Sequence, residues 1–249
     1  MPTEQQAYVI TGANSFLGKA FAEYLSANKN NKLFLTSRGK LDCLDKLSCD
    51  NVIYLPNIDL TVEYDLDRLR DEVNNFMPDK FHVFNCVGYF SDYKTIEDMS
   101  IMEAKRVFDS NILALYSVAH KLIPLMNKRG GGHFIGFSTH TSYQHYPRMV
   151  AFNAAKIAVE SLIQGISNEY LEKGIIANTI ALATLDTEVE RKIKSKGGDP
   201  QNWLKTDEVC SLVDNLIKNS NNLINGNVIH AYKHSATYFG KSYFDRIKK

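Results

Sequence analysis

The sequence predicts an α/β protein, with a mainly parallel, doubly wound sheet and helices on both faces. Short apolar runs alternate with longer amphipathic stretches along all 249 residues. Strands separated by helices of this length pair as parallel neighbours joined by crossovers. No repeat, low-complexity segment or linker-like stretch interrupts the pattern, so residues 1–249 are expected to form a single domain. Right-handed crossovers then bring the loops after the strands to one edge of the sheet, where such sheets bind ligands.

In chain order, AYVIT opens the sheet and a helix is expected from about Leu17 to Asn28. KLFLTS is the second strand, followed by a weak helical turn around Leu41 to Leu47. NVIYLPNI is the third, a helix spans about Tyr64 to Phe76, and FHVFNCVG is the fourth. A long helix from about Met102 to Met126 leads to HFIGFS, and a helix through Lys156 to Leu171 leads to IIANTIAL. A helix near Thr206 to Lys218 and the strand NVIHAY close the pattern.

Composition removes several classes of function. Apolar residues make up 44% and charged residues 23%, which suits a globular core. A net charge of +1 gives no field to recruit nucleic acid or an anionic membrane. Cys43, Cys49, Cys86 and Cys210 show neither a CxxC pair nor zinc spacing, as expected for free thiols in a reducing compartment. No apolar run approaches the roughly 18 residues of a membrane helix, and the N-terminus lacks a leader pattern. A cytoplasmic protein with no nucleic-acid or membrane partner is expected.

The first strand runs directly into Thr11-Gly12-Ala13-Asn14-Ser15-Phe16-Leu17-Gly18 and then a helix. Glycines at such a turn let the backbone approach a pyrophosphate, and the helix N-terminus supplies free N–H groups and a positive dipole end. Gly12 and Gly18 stand at the outer fingerprint positions, whereas Ser15 and Phe16 occupy the places of the middle glycine. Ser15 has a hydroxyl for a phosphate; Phe16 must turn away or block the approach. The second strand ends in Ser37-Arg38, where an acid would bind a ribose 2′-hydroxyl and a cation a 2′-phosphate. NADP is therefore expected, with NADPH favoured over NADH. Asp59-Leu60, after the third strand, suits the adenine.

The stretch from Phe134 to Leu162 concentrates the reactive side chains. Phe152 and Lys156 are four apart and share one helix face. Thr139, at the preceding strand end, is placed to point toward that face.

Taken together, these motifs resemble the short-chain dehydrogenase/reductase family over nearly the whole chain, implying a Rossmann-type fold. Its TGxxxGxG turn is met at Thr11, Gly12 and Gly18, and its NNAG motif reads Asn85-Cys86-Val87-Gly88. The asparagine of its long helix corresponds to Asn111, its active-site serine to Thr139, and its YxxxK motif to Phe152 through Lys156. The loop after the sixth strand, Ala181 to Thr187, lacks the proline and glycine but keeps Thr187, and Ile224-Asn225-Gly226-Asn227-Val228-Ile229 matches the closing element. The resemblance implies hydride transfer between a nicotinamide and a small carbonyl or alcohol substrate, and the aromatics, histidines and Arg148 of 89–94, 141–149 and 185–203 suit a polar or anionic one. It places Asn111, Thr139, Phe152 and Lys156 at the catalytic positions. Gly12, Asn14, Ser15, Phe16, Leu17, Gly18, Ser37, Arg38, Asp59, Leu60, Asn85, Val87, Gly88, Lys156 and Thr187 fall at cofactor-binding ones. It also implies a homodimer or homotetramer built on the two long helices.

In the family a tyrosine moves the substrate's proton, the lysine lowers its pKa and binds the ribose, the serine polarises the carbonyl, and the asparagine holds a water. Phe152 has no proton to give, and general acid–base catalysis is worth roughly 10²- to 10⁴-fold. Three explanations stay open. Phe152 replaces a tyrosine by engineering; Tyr143, His145, Tyr146 or His140 supplies the proton; or the chain is a catalytically inactive NADP-binding scaffold, sensor or partner subunit. The substrate end is expected from 89–94, 141–149 and 185–203, where KSKGGDPQNW suits a lid. His230 and His234, four apart, would need a helix to share a metal, and no metal is expected.

Overall fold

A computed structural model describes residues 6–41, 47, 49–76, 78–193, 200–219 and 223–233. Seven parallel strands form one sheet in the order β3-β2-β1-β4-β5-β6-β7. They are β1 (Ala7–Thr11), β2 (Lys32–Thr36), β3 (Val52–Leu55), β4 (Phe81–Asn85), β5 (Gly132–Thr139), β6 (Ile175–Leu182) and β7 (Val228–Ala231). Every residue of β1, β4 and β6 is buried, as near-continuous apolar runs require of strands covered on both faces. The outer strands β3 and β7 are only partly buried.

The helices are α1 (Phe16–Ser26), α2 (Glu63–Phe76), α3 (Ile101–Phe108), α4 (Ala114–Lys128), α5 (Thr141–Gln144), α6 (Val150–Tyr170), α7 (Glu188–Ile193) and α8 (Thr206–Asn219). Side chains alternate along each strand, so the sheet separates two cores. Tyr8, Ile10, Ile135 and Phe137 pack under α1 and α8 with Phe21, Leu25, Val209 and Val213. Ala7, Val9, Val83 and Phe134 pack under α2, α4 and α6 with Leu69, Val118, Leu122 and Ile163.

The expected long helix is not continuous. Ser100 starts α3 with a reciprocal cap to Glu103, and a π-helical turn at Asp109–Leu113 then separates it from α4. Helix α5 and helix α7 were not anticipated; both are short and lie in loops whose polar sequences carry little periodicity. Residues 42–46 of the expected turn around Leu41 to Leu47, the stretch 194–199 of the lid segment and His234 lie outside the described residues, as does Cys43 within that turn, while Leu41 and Leu47 are buried in the core. Among the described residues no helix is long and apolar enough to cross a membrane.

At the N-terminal edge of the sheet, His82 and His133 are buried with ring centroids 5.3 Å apart. His82 Nδ1 accepts from the His133 backbone N–H at 3.1 Å, and its Nε2 lies 2.9 Å from Gln6 Oε1. Burial pushes His82 down to about 3, with His133 adding to the effect, and His133 down to about 4. The unfolded chain protonates both near 6.5, so between that value and the folded pKa it binds more protons than the fold. Stability is therefore full above pH 6.5 and declines as pH falls through this window, by roughly 2 kcal/mol per histidine at pH 5. Thermal melts between pH 7.5 and 5 should show this fall, with a shallower slope for His82→Gln. A pH-independent melting temperature in the parent protein would contradict it.

Candidate functional site

After β1 the chain proceeds to β2 and β3 on one side, and β4 begins the other side. The loops after β1 and β4 therefore diverge, leaving a crevice at the C-terminal edge of the sheet. A cleft of about 870 Å³ opens there. Gly12, Asn14 and Ser15 form one wall, Thr36 to Gly39 and Ile58 to Thr61 another, and Cys86 to Tyr89 a third. Met102, Glu103, Lys105 and Arg106 of α3 complete it, together with Asp109, Ser110 and Ala114.

The two retained glycines answer to different constraints. Gly12 has φ +67°, and a Cβ there would lie 2.8 Å from Val87 Cγ2. A Cβ on Gly18 would lie 2.3 Å from the Gly12 carbonyl oxygen. Helix α1 thus starts directly against the turn. Ser15 caps it, its Oγ accepting from the Gly18 N–H at 3.0 Å, which leaves its own O–H for another acceptor. Phe16 is 48% exposed and is not on the cleft wall, so its ring does not close the turn, while Leu17 enters the core.

At the end of β2, the Ser37 hydroxyl donates to the Gly39 carbonyl and lies 2.9 Å from Tyr54 Oη. Its donor is committed within the loop, while Arg38 keeps an exposed side chain on the wall. Asn14 Nδ2 donates to the Lys40 carbonyl at 3.0 Å, tying the first turn to this loop. Asp59 accepts from the Thr61 hydroxyl at 2.7 Å and the Thr61 N–H at 2.9 Å. These bonds, with the Arg38 charge, hold its carboxyl below the usual range. Leu60 is buried beside it on the wall.

Across the crevice, Thr11 Oγ1 donates to Asn85 Oδ1 at 2.7 Å, joining the ends of β1 and β4. Val87 and Gly88 lie on the wall, but the Asn85 side chain is buried in this strand-to-strand bond. A Cβ on Gly88 would meet Lys156 Nζ at 3.1 Å and Asn111 Oδ1 at 3.2 Å, so both groups stand just behind the wall. Lys156 is buried and donates to the Phe137 carbonyl at 3.1 Å. Burial pushes its pKa down to about 8, against the opposing pull of Cys86 and Glu160. The π-helical turn carries Asn111, whose Nδ2 donates to the Tyr89 and Val107 carbonyls at 2.8 Å each. Its buried Oδ1 has no hydrogen-bond partner.

Lys156 Nζ lies 5.6 Å from the centroid of the Phe152 ring. That ring forms a T-shaped pair with Phe90, centroids 5.2 Å apart, and Phe90 forms another with Tyr93 at 5.0 Å. Thr139 Oγ1 lies 3.3 Å from Thr141 Oγ1, which donates to Asn153 Oδ1 at 2.8 Å. Thr187 is buried away from the cleft wall, its Oγ1 accepting from the Glu190 N–H at the start of α7.

Of the four side chains in the 140–146 loop, Tyr143 donates to Glu160 and packs edge-on to His230 at 4.9 Å. Burial, then Glu160, holds its phenol well above the ordinary range. His140 is buried with Nδ1 3.2 Å from the Leu182 carbonyl, Tyr146 stands edge-on to its ring, and His145 is exposed with φ +49°. Sequence reasoning missed Glu160 and the α3 wall, and it named Phe90 only within the 89–94 stretch of the expected substrate end. Glu160 had a signal: it falls one turn after Lys156 on the buried stripe of an otherwise apolar helix face. It accepts from Ser138 as well as Tyr143, so both carboxylate oxygens are bonded. His230 lies on β7, not on a helix.

The sequence pattern of the short chain dehydrogenase family matches residues 6–198. A 3-oxoacyl-[acyl-carrier-protein] reductase of Buchnera aphidicola subsp. Baizongia pistaciae is 26% identical over 239 residues, covering 92% of this chain and 97% of its own. An uncharacterized oxidoreductase of Staphylococcus aureus (strain USA300) is 27% identical over 184 residues, 73% of this chain and 78% of that one. Among solved structures, a short-chain type dehydrogenase/reductase from Mycobacterium ulcerans superposes with a TM-score of 0.82 at 20% identity, covering 93% of this chain and 90% of its own. ElxO carrying a tyrosine-to-phenylalanine substitution, with NADPH bound, gives 0.80 at 22%, covering 92% and 97%. At these identities the two superpositions establish the fold.

The contact between Gly18 and the Gly12 carbonyl yields a test. Gly18→Ala should destabilise the protein by roughly 1–3 kcal/mol, the usual range for overpacking, because the obstructing atom is backbone. Denaturant unfolding would measure it, and parent-like stability would show that α1 can back away from the turn.

Proposed function

The chain belongs to the short-chain dehydrogenase family, and from that premise we propose that it is an NADP(H)-dependent oxidoreductase acting on a small carbonyl or alcohol. The observation that carries the reading is the cleft at the reversal of strand order, with Gly12, Ser15 and Arg38 on its walls. The free O–H of Ser15 and the first N–H groups of α1 suit a pyrophosphate. Arg38 suits a 2′-phosphate, Asp59 and Leu60 the adenine, and Val87 and Gly88 the ribose. The unpartnered Asn111 Oδ1 and the Lys156 ammonium behind Gly88 fit hydroxyl groups or a water at the inner end. Support for the cofactor also comes from ElxO, which holds NADPH with a tyrosine replaced by phenylalanine.

When bound, the cofactor would supply the hydride. The remaining work falls to side chains of this protein. Lys156 donates to ribose hydroxyls from a buried position, and Thr139 polarises the substrate carbonyl through its hydroxyl. Phe152 contributes an apolar face and no proton. The edge-to-face series Phe152, Phe90 and Tyr93 favours a substrate with a flat or apolar group beside its carbonyl. Arg148, whose carbonyl accepts from the Lys94 N–H next to that series, suits an anionic end.

The second reading is a non-catalytic NADP(H)-binding protein, favoured by the missing hydroxyl at Phe152. Calorimetric titration with NADPH and NADH tests what both readings share: NADPH should bind at least tenfold more tightly. Arg38→Ala should weaken NADPH by roughly 10- to 100-fold, the worth of charge-assisted bonds to a phosphate, and leave NADH unchanged. Failure to bind either nucleotide at millimolar concentration would remove both.

We also propose a cytoplasmic single-domain protein that forms a homodimer or homotetramer. Phe108, Leu113 and Tyr116 near the α3–α4 junction and Ile157 on α6 leave large apolar side chains exposed, as an interface between copies would need. Sedimentation should show two or four chains per particle, and a strictly monomeric protein at micromolar concentration would contradict this.

A further inference from the structure

We propose that the substrate carries a neutral carboxamide in addition to its reducible carbonyl, and that the side chain of Gln144 reads it. Gln144 donates to the amide oxygen and accepts from the amide nitrogen. The proposal rests on the oxidoreductase reading and names the class of compound that the same site takes.

Buried polar atoms almost always have hydrogen-bond partners, because a bare one forfeits the bond it made to water in the unfolded chain. The Oε1 and Nε2 of Gln144 are both buried, and among the described residues neither has a partner. Exchanging the two atoms gains nothing, since both ends of the amide are bare. The Nδ2 of Asn153 and the Oγ of Ser91 are in the same condition.

The chain gathers these groups around the catalytic positions. Helix α5 is a single turn, Thr141–Gln144, ended at once by the left-handed His145. Thr141 and Gln144 are three apart and so lie on one face of that turn. Thr141 shows which way the face looks: its Oγ1 donates to Asn153 Oδ1 at 2.8 Å and lies 3.3 Å from Thr139 Oγ1. Tyr143 takes another side, toward Glu160 and His230. Gln144 therefore stands on the Thr139 side of the turn. Asn153 directly follows Phe152 on α6, and Ser91 directly follows Phe90, whose ring pairs with that of Phe152. The Lys94 N–H donates to the Arg148 carbonyl at 3.0 Å, holding the 89–94 loop against the 141–149 loop.

These groups select the ligand chemistry. Gln144 Oε1 needs a donor and Nε2 an acceptor, side by side in one plane. A carboxamide offers that pair, and Asn153 Nδ2 is a further donor for the second lone pair of its oxygen. A ketone or ester accepts but has nothing to donate, so Oε1 stays bare. A carboxylate also leaves Oε1 bare and sets a charge against it. No basic side chain stands among Gln144, Asn153, Ser91, Phe90 and Phe152 to offset the burial of that charge. Arg148 is exposed and suits an anionic group only at the outer end.

The probes are 3- and 4-acetylbenzamide. Each is matched with the diacetylbenzene that replaces the amide nitrogen by a methyl carbon, and with the corresponding acetylbenzoate. Calorimetry on the protein saturated with NADP⁺, which does not turn over a ketone, should show one acetylbenzamide binding at least about tenfold more tightly than both its matches. Gln144→Met, of similar length, should bring that amide and its diacetylbenzene within threefold of each other, with NADP⁺ affinity retained as the sign of an intact fold. In the parent protein the Gln144 side-chain N–H signals, identified by their loss in Gln144→Met, should shift in ¹⁵N NMR when the amide is added. Matched compounds binding within threefold in the parent, the result if water alone satisfies Gln144, overturns the proposal. So does a preference that survives Gln144→Met, an unshifted Gln144 signal, or no probe bound at millimolar concentration by the NADP⁺ complex. Each of these leaves the cofactor reading standing, whereas failure to bind NADP⁺ removes that reading and the proposal together.

Discussion

The start of α1 lies so close to the turn after β1 that a methyl group at Gly18 would overlap the Gly12 carbonyl. That contact fixes both the entry angle of the helix and the direction in which its first N–H groups point. Gly12 must in turn take a left-handed conformation beneath Val87, which belongs to the loop after β4. The Thr11–Asn85 hydrogen bond holds the two strand ends together at the same level. The crevice is therefore closely bounded by backbone at Gly12 on one side and Gly88 on the other. Side chains enter it from farther out, on the loops after β2 and β3 and on α3.

A second close approach lies at the inner end. Gly88 brings backbone within about one atom's width of a buried ammonium and an unpartnered amide oxygen. Placing a lysine in that position is costly because burial disfavours its charge, and the Phe137 carbonyl is the hydrogen-bond acceptor that offsets part of the loss. The widened π-helical turn aims Asn111 inward; in such turns one extra residue per turn redirects a side chain without breaking the helix. The polar inner end is thus held in place by a strand carbonyl, a helix defect and a missing side chain.

Much of this was legible in the sequence. Strands buried on both faces appear as short apolar runs, so the sheet and its flanking helices could be read in order. Gly12 and Gly18 were legible because only glycine satisfies their geometry. Phe16 was ambiguous: the chain alone does not say which way a side chain on the first helical turn points, and here it points to solvent. Ser15 was read as a phosphate ligand, and its capping bond to Gly18 is a second task of the same oxygen. The π-helical turn left no mark, since one inserted residue shifts an apolar pattern too little to be seen. Nor did the bond that commits the Ser37 hydroxyl to Gly39, because turn geometry decides it. The Phe90–Phe152 contact joins residues 62 positions apart, and no local pattern encodes it.

The claim on which the account turns is that a dinucleotide lies across the crevice between the loops after β1 and β4. Hydrogen exchange with and without NADPH tests it most directly. The account predicts slower exchange in 12–18, 37–39 and 86–89, with the far edge of the sheet around His82 and His133 unchanged. Unaltered exchange in those three segments at a saturating NADPH concentration, or protection confined to another face, would contradict it.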